Sequence, residues 1–238
     1  MTNVDTLIEG ANALGVELAD DKIDKFILYK QVLKEWNQKI NITSITDDVE
    51  IDIKHFIDSL TPLNVNLFEQ GIKIIDIGTG GGFPGIPLKI VREDLNVVLL
   101  DSLNKRIRFL DEVISKLELE NIIAIHGRAE ELGRNKSHRE KYDIAISRAV
   151  ASLDTLSEYS LPFVKVGGYF ISMKGPDFGE ELDKAERGIK TLGGRVKDAK
   201  LITLPKSDIT HSLIIIEKIK ETPTKYPRGG GKPKKNPL

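Results

Sequence analysis

The sequence predicts an α/β fold: a seven-stranded, mostly parallel sheet, helices on both faces, an antiparallel C-terminal hairpin and a helical N-terminal preface. Three observations carry this expectation. From residue 72 onward, short apolar runs alternate with helical stretches, the βα repeat of a parallel sheet covered on both faces. The last two runs are separated only by Pro205-Lys206-Ser207-Asp208, too short for a crossover helix, so one of that pair runs antiparallel. The first run, Lys73–Ile77, empties into a glycine turn (Gly78, Gly80, Gly81, Gly82), and Phe83-Pro84-Gly85-Ile86 opens a helix, Pro being tolerated in a first helical turn.

The 238 residues, 40% of them hydrophobic, supply one α/β domain with a full core and a small appendage. The expected division is a helical extension over 1–62 packed on the core, a main domain over 63–221 and a basic Pro/Gly tail over 222–238. The chain contains no Cys, which removes disulfides, thiolate zinc sites and cysteine nucleophiles. His55, His126, His138 and His211 lie far apart, without short metal-ligand spacings, so no metal is expected. Thr2-Asn3-Val4-Asp5 is no basic signal-peptide start, and no apolar run approaches the length of a membrane span. These features predict a cytoplasmic protein, expected as a monomer. The net charge of −1 gives no overall attraction to nucleic acid, so only local basic clusters would supply it.

Taken in order, Ile23, Phe26, Tyr29, Leu33, Trp36 and Ile40 form one apolar stripe at helical spacing, with Asp20 or Asp21 as the expected cap. Asn41-Ile42-Thr43-Ser44 breaks that helix, and Thr46 to Glu50 reads as a new N-terminus. The helix that follows carries His55-Phe56-Ile57-Asp58-Ser59-Leu60 and ends near Pro62. Strands are expected at 72–77, 96–101, 121–126, 142–147, 165–173, 196–204 and 210–218. Helices are expected between them at about 84–92, 104–118, 128–133, 152–160 and 178–192. The tail from Thr222 has no acid, and it reads either as a solvated segment or as an arm contacting phosphates, with Tyr226 available to stack.

The chemistry collects where strands end. Gly80-x-Gly82-x-x-Gly85 formally fits a dinucleotide fingerprint. Asp76 would repel a pyrophosphate there but suits an ammonium group, and the glycines at 78, 80 and 82 suit a loop wrapping the amino-acid part of S-adenosyl-L-methionine. The plainer reading of Asp76 is a carboxylate satisfying loop N–H groups. Asp101 ends the second strand, where an acid accepts from ribose hydroxyls, caps the next helix, or does both. After the third strand, Ala129 and Glu130 of Gly127-Arg128-Ala129-Glu130 would meet an adenine edge, or Glu130 simply serves as a first-turn helix acid.

Ser147-Arg148-Ala149-Val150 follows the fourth strand, the position facing the transferable group in doubly wound transferases. It lacks the Asn/Asp-Pro-Pro-aromatic cluster used on exocyclic amines, and no Cys is present to attack a pyrimidine ring. Acceptors that remain include ring nitrogens with an available lone pair. Guanine N7 is one, and it needs no general base, only in-line placement. Arg148 would donate to guanine O6, to a nearby phosphate or to the methionine carboxylate, or would pair with Asp154 or Glu158. Lys174 ends the fifth strand, and Lys105, Arg106 and Arg108 open the second βα helix. With Arg228, Lys232, Lys234 and Lys235 of the tail they would form an RNA-binding rim, or an ordinary solvated surface.

Taken together, the DIGTGGGFPGIPL, GRAE (127–130), SRAVA (147–151), HFIDSL (55–60) and YPRGGGKPKKNPL segments resemble the glucose-inhibited division protein B family of bacterial 16S rRNA guanine-N7 methyltransferases, the methyltransferase G type. The resemblance implies a class I (Rossmann-like) methyltransferase fold, S-adenosyl-L-methionine as cofactor and a guanine N7 in the 530 loop as acceptor. It implies 16S rRNA or the small ribosomal subunit as partner, and cofactor contacts at Gly78, Phe83, Ala129, Glu130 and Arg148. Two alternatives stay open from the residues themselves. One is an NAD-dependent oxidoreductase, disfavoured by Asp76 and by the lack of a His or Tyr-Lys pair at the strand ends. The other is a non-enzymatic RNA-binding protein with a relic cofactor site.

Overall fold

The computed structural model describes residues 4–148 and 151–238. The strands are β1 (Lys73–Ile77), β2 (Asn96–Asp101), β3 (Ile122–His126), β4 (Tyr142–Arg148), β5 (Val164–Lys174), β6 (Gly194–Thr203) and β7 (Thr210–Lys218). They form one seven-stranded sheet in the order β3-β2-β1-β4-β5-β7-β6. The pairs among β1 to β5 are all parallel, and β7 is antiparallel to both β5 and β6. The expected hairpin is therefore present, and β7 is its reversed member. Central β1 is buried from Ile74 through Ile77, Asp76 included, because both its faces are covered. At one edge, β3 leaves Ile123 55% exposed, and β6 closes the other with Lys197 and Lys200 among its outward residues.

The preface consists of α1 (Asp5–Ala13), α2 (Asp20–Ile40), α3 (Asp48–Ile51), a π-helical segment Asp52–Ile57, α4 (Asp58–Leu60) and a 3-10 turn Thr61–Asn64. The predicted stripe on α2 is real: Phe26, Tyr29 and Leu33 are fully buried, with Ile23, Trp36 and Ile40 packed at its margin. Two local expectations need correction. Asp20 and Asp21 stand inside the first turn of α2, where they meet the helix dipole, and the cap is Ala19 with no side-chain hydrogen bond. The helix expected to run unbroken to Pro62 instead widens into π turns across His55, while Asp47 caps its start by accepting from the Glu50 N–H at 2.9 Å.

The remaining helices are α5 (Gly85–Val91), α6 (Asn104–Lys116), α7 (Ala129–Leu132), α8 (Leu153–Ser160), α9 (Gly179–Thr191) and α10 (Lys232–Lys235). On one face of the sheet Ile74, Val97, Leu99 and Ile146 pack with Tyr29, Phe56, Ile86 and Phe109, so preface, α5 and α6 share one core. On the other, Ile75, Ile77, Phe170 and Ile214 pack with Leu153, Leu156, Ile189 and Tyr226.

That last residue corrects the reading of the tail. Tyr226 is buried against the second core and is not available to stack on a base. The tail's backbone is strapped down by side chains of the body. Arg139 donates to the carbonyls of Thr222 (2.6 Å) and Tyr226 (2.8 Å), Arg134 Nε donates to Pro227 O (2.7 Å), and Glu140 accepts from the Thr222 N–H (2.8 Å). A Pro-rich segment forms no ladder, so its carbonyls are open to arginine donors. Arg228, expected on the RNA-binding rim, turns inward and forks onto the buried carboxylate of Glu158 (Nη2–Oε2 2.6 Å, Nε–Oε1 2.9 Å).

Candidate active site

The strand order reverses between β1 and β4, and a cleft opens there over the carboxyl ends of the parallel strands. It comprises a cavity of about 1100 Å³ and one of about 630 Å³, which share Gly78, Asp101, Ser102, Ala151 and Ser152. Because β7 is antiparallel, its first residues, including His211, reach this same edge and line the larger cavity.

The glycine turn divides its labour. Gly78 and Gly80 line the cleft, and a Cβ on Gly80 (φ +59°) would meet nothing nearer than the Gly78 carbonyl at 3.9 Å, so it faces open space. Gly82 (φ +91°) serves packing instead: a Cβ there would fall 2.5 Å from Ile86 Cδ1 and 2.6 Å from the Tyr29 hydroxyl. It was expected among the cofactor contacts and is not among the residues lining the cleft. Tyr29 ties the preface to the turn by donating to the Gly81 carbonyl.

Asp76 is also corrected. It does not reach the cleft to meet an ammonium group. Its Oδ2 accepts from the Thr79 hydroxyl (2.7 Å) and the Gly85 N–H (2.9 Å), and its Oδ1 is buried without a partner. Alternation along β1 turns its side chain toward α5, where it fastens the turn. Burial pushes this carboxyl up to about 7, against the opposing hydrogen bonds.

Asp101 lines both cavities. Its Oδ2 accepts from Gly80 N (3.0 Å) and Arg106 Nη1 (3.2 Å), and Oδ1 from Leu103 N (2.9 Å). It braces the glycine turn and steers the chain into α6, whose cap residue is Leu103. Ala129 and Glu130 line the smaller cavity, with Tyr159 and Thr155 of α8 across from them.

Arg148 stands at the far end. It pairs with neither Asp154 nor Glu158; the partner is Asp58 of the preface, at 2.7 Å from Nη1. Nη1 also donates to Lys54 O (3.1 Å), and the guanidinium lies 4.9 Å from the centre of the Phe83 ring. His55 stacks on the same ring at 4.5 Å, and burial together with the Arg148 charge holds its imidazole down at about 4, so it is neutral. The other oxygen of Asp58 meets His211 Nδ1 at 2.8 Å. Burial raises Asp58, but the His211 hydrogen bond and the Arg148 charge outweigh it and leave the carboxyl below its ordinary range. Ala149 and Val150 of the same segment lie outside the described residues.

Asp58, His55 and His211 had no role assigned from their spacing. The available signals were the HFID segment's place just before the glycine strand, and the hairpin, which returns the start of β7 to the active edge. Of the expected basic rim, Arg106 and Lys174 line the larger cavity, and Lys234 and Lys235 line the smaller one. Lys174 is held by Glu181 (2.8 Å) and donates to Ala151 O (2.7 Å). Lys105 is exposed and reaches back to Ile40 O (3.3 Å).

A sheet of this order with a reversed seventh strand, and a cleft joining a glycine turn to acids at the ends of β2 and β3, defines a class I methyltransferase. Residues 22–210 match the GidB family, described as rRNA small subunit methyltransferase G, and the chain belongs to that family. It is 56% identical over 232 residues to a ribosomal RNA small subunit methyltransferase G of Acetivibrio thermocellus, covering 98% of this chain and 95% of that protein. It is 53% identical to the one of Alkaliphilus metalliredigens, covering 98% and 97%. Among solved structures, an Aquifex aeolicus SAM-dependent methyltransferase aligns with a TM-score of 0.53 at 18% identity, over 74% of this chain and 96% of that one, a likeness of fold. The protein is thus an S-adenosyl-L-methionine-dependent rRNA methyltransferase. The cleft suits that cofactor: open space over Gly80, Asp101 midway and Glu130 at the narrow end offer a backbone cradle and two carboxylate acceptors in sequence along it. Among the described residues no cluster of metal-ligating side chains occurs, and no helix is long and apolar enough to cross a membrane.

Proposed function

We propose that the protein methylates N7 of a guanine in the 530-loop region of 16S rRNA, by in-line displacement and without an obligatory general base. The observation that carries this reading is Arg148. At the strand end facing the reacting groups stands a guanidinium anchored by Asp58 and laid on Phe83, with no amine-holding cluster beside it. Its Nη1 bears the contacts to Asp58, Lys54 and Ser59, whereas among the described residues Nη2 meets only His55 Nδ1, at 3.4 Å. Nη2 is therefore the group left to donate to guanine O6.

When bound, S-adenosyl-L-methionine supplies a methyl carbon on a sulfonium; the N7 lone pair forms the new C–N bond, the C–S pair returns to sulfur, and no proton is released. The chain's own residues position and shield. Gly78 and Gly80 leave room for close approach of the backbone. Asp101 accepts from ribose hydroxyls through the lone pairs not used by Gly80, Leu103 and Arg106, and Ala129 and Glu130 meet the adenine edge. Neutral His55 and Phe83 present an apolar wall to the acceptor base, and no side chain there is asked to take a proton. Arg106 and Lys174, which line the larger cavity, and exposed Lys105 are the cations offered to the RNA backbone. On this reading the protein works in the cytoplasm, as a monomer, on naked rRNA or the small subunit.

The test is to incubate the protein with labelled S-adenosyl-L-methionine and small subunits, or naked rRNA, from cells lacking the gene, and to map the label. Label at one guanine, released by N7-specific cleavage, is expected. Label on an exocyclic amine or a carbon would refute the N7 assignment. Cofactor binding without transfer to any RNA would favour a non-enzymatic RNA-binding role.

A further inference from the structure

The C-terminal tail belongs to no strand or helix of the sheet domain, yet it ends against the narrow end of the cleft. The smaller cavity is lined both by Ala129 and Glu130 and by Gly231, Lys234 and Lys235 of the tail. Thr155 and Tyr159 of α8 line the same cavity. The tail is fastened to that same helix. The Thr155 hydroxyl donates to Pro233 O (3.3 Å), and Pro233 is buried. One turn further along, Glu158 is fully buried and accepts both the backbone N–H (2.7 Å) and the guanidinium of Arg228. Arg228 Nη2 in turn donates to Asn236 O (2.8 Å), which closes residues 228–236 into a loop around α10. A merely solvated basic tail would need none of this, and an arm free to follow RNA would not be tied down in this way.

We propose that residues 229–238 are a fixed wall of the pocket for the adenosyl group, so that the C-terminus is a cofactor-binding element. This rests on the cleft being the S-adenosyl-L-methionine site. Gly231, Lys234 and Lys235 complete the lining of the pocket to which the βα loops contribute Ala129 and Glu130. The mouth of the larger cavity, where the methyl group and the RNA meet, has no tail residue in its lining. The tail is therefore expected to affect the adenosyl half of the ligand and not the methionine half.

The experiment compares the full chain with a chain ending at Arg228, which keeps the Tyr226 and Glu158 anchors. Dissociation constants are measured by calorimetry for S-adenosyl-L-methionine, S-adenosylhomocysteine and methylthioadenosine. A loss of about tenfold, shared by all three ligands, is the expected result, because methylthioadenosine contains only the adenosyl half. Unchanged affinities, or a loss confined to the two ligands with an amino-acid group, would overturn the proposal. So would a fall in RNA affinity with all three ligands bound as before, which would make the tail an RNA arm. If the shortened chain does not fold, the K234E/K235E double variant carries the test: weaker methylthioadenosine binding with unchanged circular dichroism supports the wall, and unchanged binding overturns it. Failure of the intact chain to bind any of the three would refute the assignment of the cleft itself, a separate outcome.

Discussion

Two residues around the glycine turn, buried Asp76 and half-buried His55, titrate in opposite senses. Asp76 is held at about 7 when folded against 3.8 when free. Between these values the folded chain keeps a proton that the unfolded chain has released, so this group lowers stability as pH rises from about 4 to about 7. His55 is held at about 4 against 6.5, so the unfolded chain takes up its proton first and this group raises stability over about pH 4 to 6.5. Asp76→Asn isolates the first. The stability of the wild type relative to this variant, from denaturant unfolding, is expected to fall across pH 4 to 7 by at most about 4 kcal/mol. A difference that does not vary with pH would mean that Asp76 is ionised throughout. Asp58→Asn acts through Arg148, whose side chain is only 13% exposed. Loss of the counter-charge is expected to cost about 3 kcal/mol and to lower kcat/KM for RNA by a larger factor than it raises the Kd for cofactor. Equal loss in both would place Arg148 on the cofactor instead. The Asp58–Arg148 pair was invisible at this scale, because nothing local links positions 90 residues apart.

At the scale of elements, the βα units were legible to within a residue or two, because each buries an apolar run of the right length and period. What was not legible was how the elements hold one another. Gly82 illustrates this: in the sequence it is one more glycine of a ligand loop, but in the fold it is the gap into which the α2 hydroxyl and the α5 side chain fit. Gly82→Ala is expected to lose about 2–4 kcal/mol from the positive φ and the overlap together, read as a lowered denaturation midpoint. A midpoint within error of wild type would show that the turn relaxes freely. The tail makes the same point. Its composition suggests a solvated segment or an arm for phosphates, and its order comes from Arg134, Arg139 and buried Glu158 supplied by other elements.

For the whole molecule, a net charge of −1 leaves RNA attraction to local geometry. Several cations of the expected rim are already paired: Arg106 with Asp101, Lys174 with Glu181, Arg228 with Glu158. Among the described residues Lys105, Lys232, Lys234 and Lys235 appear in no ion pair within 4.0 Å. Removing a cation that neutralises a phosphate should flatten the salt dependence of RNA binding by about one in slope. Lys105→Ala is expected to show that change and Arg228→Ala is not, as measured by filter binding across a salt series. The reverse result would mean that the tail opens on RNA.

By itself the sequence determined the βα units of the sheet, the hairpin that ends it, the absence of cysteine chemistry and the edge at which the chemistry gathers. These follow from patterns with a period of a few residues, which the chain carries locally. Only the tertiary structure decided that Asp76 fastens the turn instead of facing the ligand, that Asp58 and His211 flank Arg148, and that the tail ends at the adenosyl end of the cleft. Each of these depends on which side chains meet across long stretches of chain, and burial and charge pairing settle that only once the whole core has closed.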